Sequence, residues 1–296
     1  MNRLLLLPLA GLAAVSCLTL DSFLFEPTRS DEYLEYFHEN WRVRGDVIPD
    51  SLVEPAVLTS SGGNRIYGFL ARQPARVRNQ DSIVTMLYCH GRSEYINRYW
   101  GRVEYLWELG YHVFIFDYQG YGKSEGSPSG DACYADTRAA LEFCQGHRAV
   151  NPELIVYYGW SLGSFMATYL AADSVRPLGL ILEAPMASVS AVVREGALLD
   201  IPGSFVTDLD FDNENRIGRV KTRTLIVYGT ADETAVPERN AEVLVEKGSP
   251  WTDMTVVKVE GAVHDDIPEV MGTEYYATVR DFVAGCLRPG PLNVPD

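Results

Sequence analysis

Gly159-Trp160-Ser161-Leu162-Gly163 decides how this chain is read. Immediately upstream, Leu154-Ile155-Val156-Tyr157-Tyr158 is a short β-branched and aromatic run, the pattern of a buried strand. Downstream, Ser164 to Asp173 contains neither Gly nor Pro and reads as a helix. A serine between two glycines, at a turn from strand to helix, has the context of a nucleophile elbow. Small residues two positions to either side let the backbone turn sharply enough to hold the seryl oxygen clear of the sheet. The following helix aims its N-terminal N–H groups and positive dipole end at that oxygen. The pentapeptide pattern alone arises by chance in about one chain in ten of this length. The rest of the sequence therefore has to carry the assignment.

With 296 residues, 47% of them apolar, the chain can build one large α/β domain around a substantial core. A net charge of −15 excludes the basic surface that nucleic-acid binding needs, and disfavours broad attraction to anionic lipid headgroups. No repeat or low-complexity segment interrupts the sequence. At the N-terminus, Arg3 precedes an apolar run, Leu4 to Val15, of signal-peptide rather than membrane-spanning length. It ends at Ala14-Val15-Ser16-Cys17, which resembles the lipobox of bacterial lipoproteins, with Ala14 where that pattern usually has Leu. Three readings compete: lipidation of Cys17, an uncleaved anchor helix from Leu4 to Phe25, and secretion after cleavage near Ser16. All three export the domain, the first to the bacterial cell envelope, periplasmic or outer-membrane-attached. Of the remaining cysteines, Cys89 lies in an apolar run and reads as a packed core thiol. Cys133 and Cys144 bracket one helical segment, about 16 Å apart, and cannot bridge each other. No cysteine spacing has the pattern of a zinc site.

The chain divides into a leader (1–17), a connecting segment (18–49), a main domain (50–288) and a short tail (289–296). Within the domain, Ser61-Gly62-Gly63 separates two strands of a hairpin, Val53 to Ser60 and Asn64 to Ala71. Short apolar strands then alternate with helices. Strands are expected over Ile83–Tyr88, Val113–Phe116, Leu178–Leu182, Thr224–Tyr228 and Met254–Val259, besides the strand before the elbow. Helices are expected over Asn97–Leu109, Asp131–Gly146, Pro237–Lys247 and Glu274–Cys286. This alternation implies a mostly parallel sheet covered on both faces, with antiparallel strands added at one edge. About forty residues separate Glu183 from Thr224. A connection that long is more often functional than passive, so residues 185–220, with the apolar stretch Ser190 to Leu199, read as a small lid, with a surface helix bracing the sheet as the alternative.

A nucleophilic serine needs a base, and the base needs an acid to orient it. Of the five histidines, His38 precedes the sheet, His112 begins a strand and His147 ends a helix. His264 follows the last strand, so in a parallel sheet it shares an edge with the elbow, where functional groups collect. Asp232, in the loop after the penultimate strand, is the matching acid, with Glu233 and Asp265 as neighbours that would project differently. An oxyanion needs two N–H donors. Leu162 at the helix start supplies one. The other comes from His90-Gly91-Arg92, where Gly91 permits close backbone approach and the Arg92 N–H would donate. His90 braces this loop, and the Arg92 side chain would meet an anionic substrate group or an acid on the lid.

The order Ser161, Asp232, His264 is that of the α/β-hydrolase fold. Residues 50 to 288 resemble the α/β-hydrolase superfamily, on His90-Gly91, Asp117-Tyr118-Gln119-Gly120-Tyr121-Gly122-Lys123-Ser124, the elbow, Gly229 through Asp232 with Val236-Pro237, and His264. The family's loop is Asp-x-Arg-Gly-x-Gly-x-Ser, so Gln119 replaces an arginine outside the triad and alters only a supporting contact. The subgroup is similar to small-lid serine hydrolases, esterases or serine aminopeptidase-like proteins. The resemblance implies ester hydrolysis through an acyl-enzyme, without metal or organic cofactor, on a small-molecule or lipid ester. A peptidase or thioesterase on the same residues, or a non-catalytic binding protein of this fold, are the alternatives.

Overall fold

Every strand expected from an apolar run is present in the computed structural model, which describes residues 24–33, 47–74, 82–191, 211–248 and 253–288. Eight strands among these residues form one sheet: β1 (Val53–Thr59), β2 (Arg65–Ala71), β3 (Thr85–Cys89), β4 (His112–Phe116), β5 (Ile155–Trp160), β6 (Gly179–Glu183), β7 (Thr224–Gly229) and β8 (Met254–Val259). Their spatial order is β8-β7-β6-β5-β3-β4-β2-β1. Only β2 runs antiparallel to its neighbours, β1 and β4; the other pairs are parallel.

Residues in β3, β4, β5 and β6 are all buried, as expected of central strands packed on both faces. Alternation along each strand separates two core layers. Leu87, Cys89 and Tyr157 face one layer with Phe165 and Leu170. Met86, Tyr88 and Tyr158 face the other, with Tyr99 and Val103. Helix α1 (Ile96–Glu108) buries Ile96, Tyr99, Trp100, Val103 and Leu106, one stripe at helical spacing. Helix α2 (Gly130–Gly146) starts at Ser129, whose hydroxyl accepts from the Ala132 N–H at 3.2 Å. Cys133 and Cys144 both lie on it as free thiols, and Cys89 is a buried free thiol in β3. The helix after the elbow, α3 (Gly163–Asp173), is buried around most of its surface. The expected Pro237–Lys247 helix is broken at Asn240 into a 3₁₀ turn and α4 (Ala241–Lys247), and α5 (Thr273–Leu287) is the last element among the described residues. A short helix over Ile267–Met271 lacked a long enough apolar period to be expected.

Register delivers the loops of interest to one edge. Cys89 pairs with Gly159, Trp160 with Glu183, Glu183 with Val227, and Val259 with Gly229. The loops following β3, β5, β7 and β8 therefore emerge side by side.

Two segments outside the sheet bear on the sequence expectations. Leu24 and Phe25, read as the end of an anchor helix, are instead buried in the core, and Glu26–Pro27 pairs with Ser93–Glu94. Part of the connecting segment thus belongs to the body of the domain. Both ends of the expected lid also pack into the core, through Met186, Ala187, Val189, Phe211 and Ile217; residues 192–210, with most of the stretch Ser190 to Leu199, lie outside the described residues, as do Cys17, the rest of the leader, and His38. Among the described residues no helix is long and apolar enough to cross a membrane.

His112, the first residue of β4, is fully buried, and its Nδ1 accepts the Gln73 N–H at 2.9 Å. That bond requires an unprotonated Nδ1. Burial, and secondarily the Arg72 charge, lower its pKa to about 4. Because the folded pKa lies below the unfolded one, the stability it contributes is present above about pH 6.5 and declines as pH falls toward 4. Urea unfolding is expected to show about 2 kcal/mol less stability at pH 5 than at pH 7 from this group. His112→Gln should remove that part of the slope; an unchanged slope in the variant would contradict the assignment.

Candidate active site

Ser161 sits at the turn from β5 into α3 with φ of 54°, in the left-handed region that an L-residue enters only under constraint. Its N–H donates to the Glu183 carbonyl at 3.0 Å and its own carbonyl accepts from Ser164 N–H at 2.9 Å, which fixes the turn. The flanking glycines serve by close approach. A Cβ on Gly159 would lie 2.6 Å from the Gly163 carbonyl oxygen, and one on Gly163 would overlap the Cys89 carbonyl. Positive φ belongs to the serine, not to these glycines.

The Ser161 Oγ lies 2.7 Å from His264 Nε2, and His264 Nδ1 lies 2.8 Å from Asp232 Oδ2. Residues separated widely along the chain thus form one continuous hydrogen-bonded row. Asp232 answers two needs at once. Its Oδ1 accepts from the Thr234 and Ala235 N–H groups, each at 2.8 Å, holding the turn, while Oδ2 faces the histidine. Burial alone would raise its pKa, but the hydrogen bond and charge of His264, with those two N–H groups, hold it below the usual carboxylate range. The carboxylate is therefore ionised near neutral pH. An ionised Asp232 accepts only, so Nδ1 carries the imidazole proton and Nε2 is left to accept from Ser161. Glu233 is exposed, and Asp265 turns toward Arg98 at 3.5 Å, so neither takes this place.

The loop after β3 lies directly against the elbow. A Cβ on Gly91 would meet the Trp160 ring, and the ring of Trp160 stands 5.2 Å from that of His264. His90 is buried and stacked on Tyr99 at 4.8 Å, with its Nδ1 2.7 Å from the Gly91 carbonyl and its Nε2 3.4 Å from Asp117. In a trans peptide the C=O and N–H point oppositely. By holding the Gly91 carbonyl, His90 therefore sets the direction of the Arg92 N–H. Leu162, fully buried, stands at the N-terminus of α3, where the helix leaves its N–H groups without intrahelical acceptors.

Among the described residues, the side chain of Arg92 stands 3.4 Å from Glu26, an acid on the segment before the domain. Glu26 also bonds Ser93 Oγ at 2.7 Å, and its N–H donates to the Arg92 carbonyl at 3.0 Å. Arg29 reaches the Ser124 and Gly126 carbonyls, and Tyr33 donates to Asp117 at 2.6 Å. Residues 24–33 thus brace the loops after β3 and β4. No motif marked them in the sequence. Gln119, in place of the family's arginine, bonds Asp136 through its backbone N–H at 2.7 Å and its amide at 2.9 Å. With neutral donors instead of a guanidinium, burial dominates and raises the Asp136 pKa.

Residues 80–218 match the family model described as serine aminopeptidase, S33. The uncharacterized protein YfhR of Escherichia coli (strain K12) is 27% identical over 241 residues, covering 80% of this chain and 82% of its own. The human alpha/beta hydrolase domain-containing protein 17B is 28% identical over 237 residues, covering 78% and 75%. Among solved structures, the esterase Pf2001 of Pyrococcus furiosus superposes with a TM-score of 0.67 at 18% identity, covering 88% of this chain and 98% of that one. The strand order and these neighbours agree on the fold: the chain has the α/β-hydrolase fold and is similar in sequence to the proteins named above.

Proposed function

We propose that this protein is a serine hydrolase that cleaves carboxylic esters through an acyl-enzyme. The observation that carries the reading is the row Ser161–His264–Asp232, with 2.7 and 2.8 Å between its members. Ser161 Oγ attacks the ester carbonyl while His264 Nε2 takes its proton, and Asp232 stabilises the imidazolium that results. The N–H groups of Leu162 and Arg92 receive the oxyanion of the tetrahedral intermediate. His264 then returns the proton to the leaving alcohol. Water, deprotonated by the same imidazole, attacks the acyl-serine and releases the acid. The Asp232 carboxylate, held ionised beside the imidazole that faces Ser161, favours the catalytic reading over a binding protein of this fold.

Esters are favoured over amides because the Pyrococcus neighbour is called an esterase; the family model's description keeps peptides as the second class. The test is a chain-length series of p-nitrophenyl esters run beside an aminoacyl p-nitroanilide and an acyl thioester. Hydrolysis of the esters at least tenfold faster than of the anilide supports the proposal, and turnover of the anilide alone would replace it with a peptidase. The leader adds a proposed location. The apolar run Leu4 to Val15 and Cys17 support export with a lipid tether in a bacterial envelope, so the substrate is a small-molecule or lipid ester met outside the cytoplasm. Mass spectrometry of the mature N-terminus tests this: a diacylglyceryl Cys17 is expected, and an intact Met1 would contradict it.

A further inference from the structure

The nucleophile and its histidine come from strands that are not neighbours. Ser161 follows β5, His264 follows β8, and β6 and β7 lie between. Their hydrogen bond therefore depends on whatever fixes the β8 loop relative to the elbow. One side chain outside the triad bonds to both regions. Arg102, on α1, directs one guanidinium nitrogen to Glu183 and the other to the carbonyl of Asp265, at 3.2 Å. Its guanidinium carbon stands 4.7 Å from the centroid of the Trp160 ring. The three residues it contacts each adjoin the reacting pair. Trp160 precedes Ser161, Asp265 follows His264, and the Glu183 carbonyl accepts the Ser161 N–H.

Glu183 is itself held rigidly. Its carboxylate is fully buried, and one oxygen accepts from Tyr275 at 2.9 Å and from Tyr158. The next residue, Ala184, has φ of 44°, a left-handed conformation in a non-glycine residue at the same point of the chain. A buried ion pair is a poor source of net stability, because desolvating both charges cancels most of their attraction. What a guanidinium offers in return is geometry: a rigid planar fork that bonds two acceptors at a fixed angle while its face lies on an aromatic ring.

We propose that Arg102, anchored by Glu183, is a positioning residue that locks the His264 loop onto the elbow and so sets the Ser161–His264 contact. The inference rests on the serine-hydrolase reading above. Its failure is distinguishable from the failure of that reading, because labelling of Ser161 by a fluorophosphonate needs the triad but no knowledge of the natural substrate. The informative variant is the double replacement Arg102→Met with Glu183→Gln, which removes both charges together and leaves neither buried alone. Arg102→Lys is the second, keeping the charge and losing the fork. The readouts are the melting temperature, the second-order rate of labelling, and kcat and KM on p-nitrophenyl acetate.

The double variant is expected to melt within a few degrees of wild type, with labelling rate and kcat lowered about 100-fold, the cost of an ångström-scale misplacement, and KM changed less than twofold. Arg102→Lys is expected to recover no more than about a tenth of the lost rate, whereas a merely structural ion pair would be satisfied by lysine. A folded double variant that labels within threefold of wild type, or a lysine variant with the wild-type rate, would overturn the clamp alone. A wild-type protein that does not label would overturn both the function and the clamp.

Discussion

Replacing Ser161 with alanine is expected to lower kcat on any accepted ester by about 10⁶-fold, with KM and melting temperature close to wild type. The size of the effect follows from the row of hydrogen bonds. In the proposed mechanism Ser161, His264 and Asp232 act as one unit, so losing the nucleophile costs about as much as losing all three. The structural cost is small because alanine keeps the Cβ that already sits at φ of 54°, and the backbone bonds to Glu183 and Ser164 do not involve the hydroxyl. Steady-state kinetics with circular dichroism as a folding control decide the matter. Residual activity above about 1% of wild type would mean that another group attacks the ester.

Asp232→Asn is expected to lower kcat about 10⁴-fold at neutral pH. An asparagine oxygen can still accept from Thr234 and Ala235, whose N–H groups lie 2.8 Å from Oδ1, so the turn survives. The atom then facing His264 is an amide nitrogen, which donates. It requires an unprotonated Nδ1, moves the proton to Nε2, and leaves Ser161 facing a donor instead of a base. Stability should respond as well. Because the folded pKa of Asp232 lies below that of a free carboxyl, its contribution is full above about pH 4 and is lost as pH falls through the lower folded value. The variant should lack that part of the acid limb in a pH series of chemical unfolding. An asparagine variant with wild-type kcat would remove Asp232 from the mechanism and leave it as a turn residue.

Much of this site is legible in the sequence because it is built locally, on strand ends. The elbow, Asp232 and His264 each follow a short apolar run, and a parallel sheet brings such points to one edge without further information. Positions held by close backbone approach are legible too, since only glycine fits where Gly163 meets the Cys89 carbonyl. What the sequence hides is the partner of a charged side chain when that partner is distant. Arg92 finds Glu26, and Arg102 finds Glu183, across 66 and 81 positions of sequence. No periodicity or motif encodes either pair. The same holds for Leu24 and Phe25, whose apolar character suits a membrane anchor as well as the core they enter. Ala184 and Glu94 adopt left-handed backbone without the glycine or asparagine that would have signalled it.

The central claim is that Ser161 is a nucleophile activated by His264. Intact-protein mass spectrometry after incubation with a fluorophosphonate, followed by peptide mapping, tests it most directly. A single adduct on Ser161 is expected, absent from Ser161→Ala and formed at least about 10³-fold more slowly in His264→Ala. An unmodified wild-type protein, or an adduct that persists in Ser161→Ala, would contradict it.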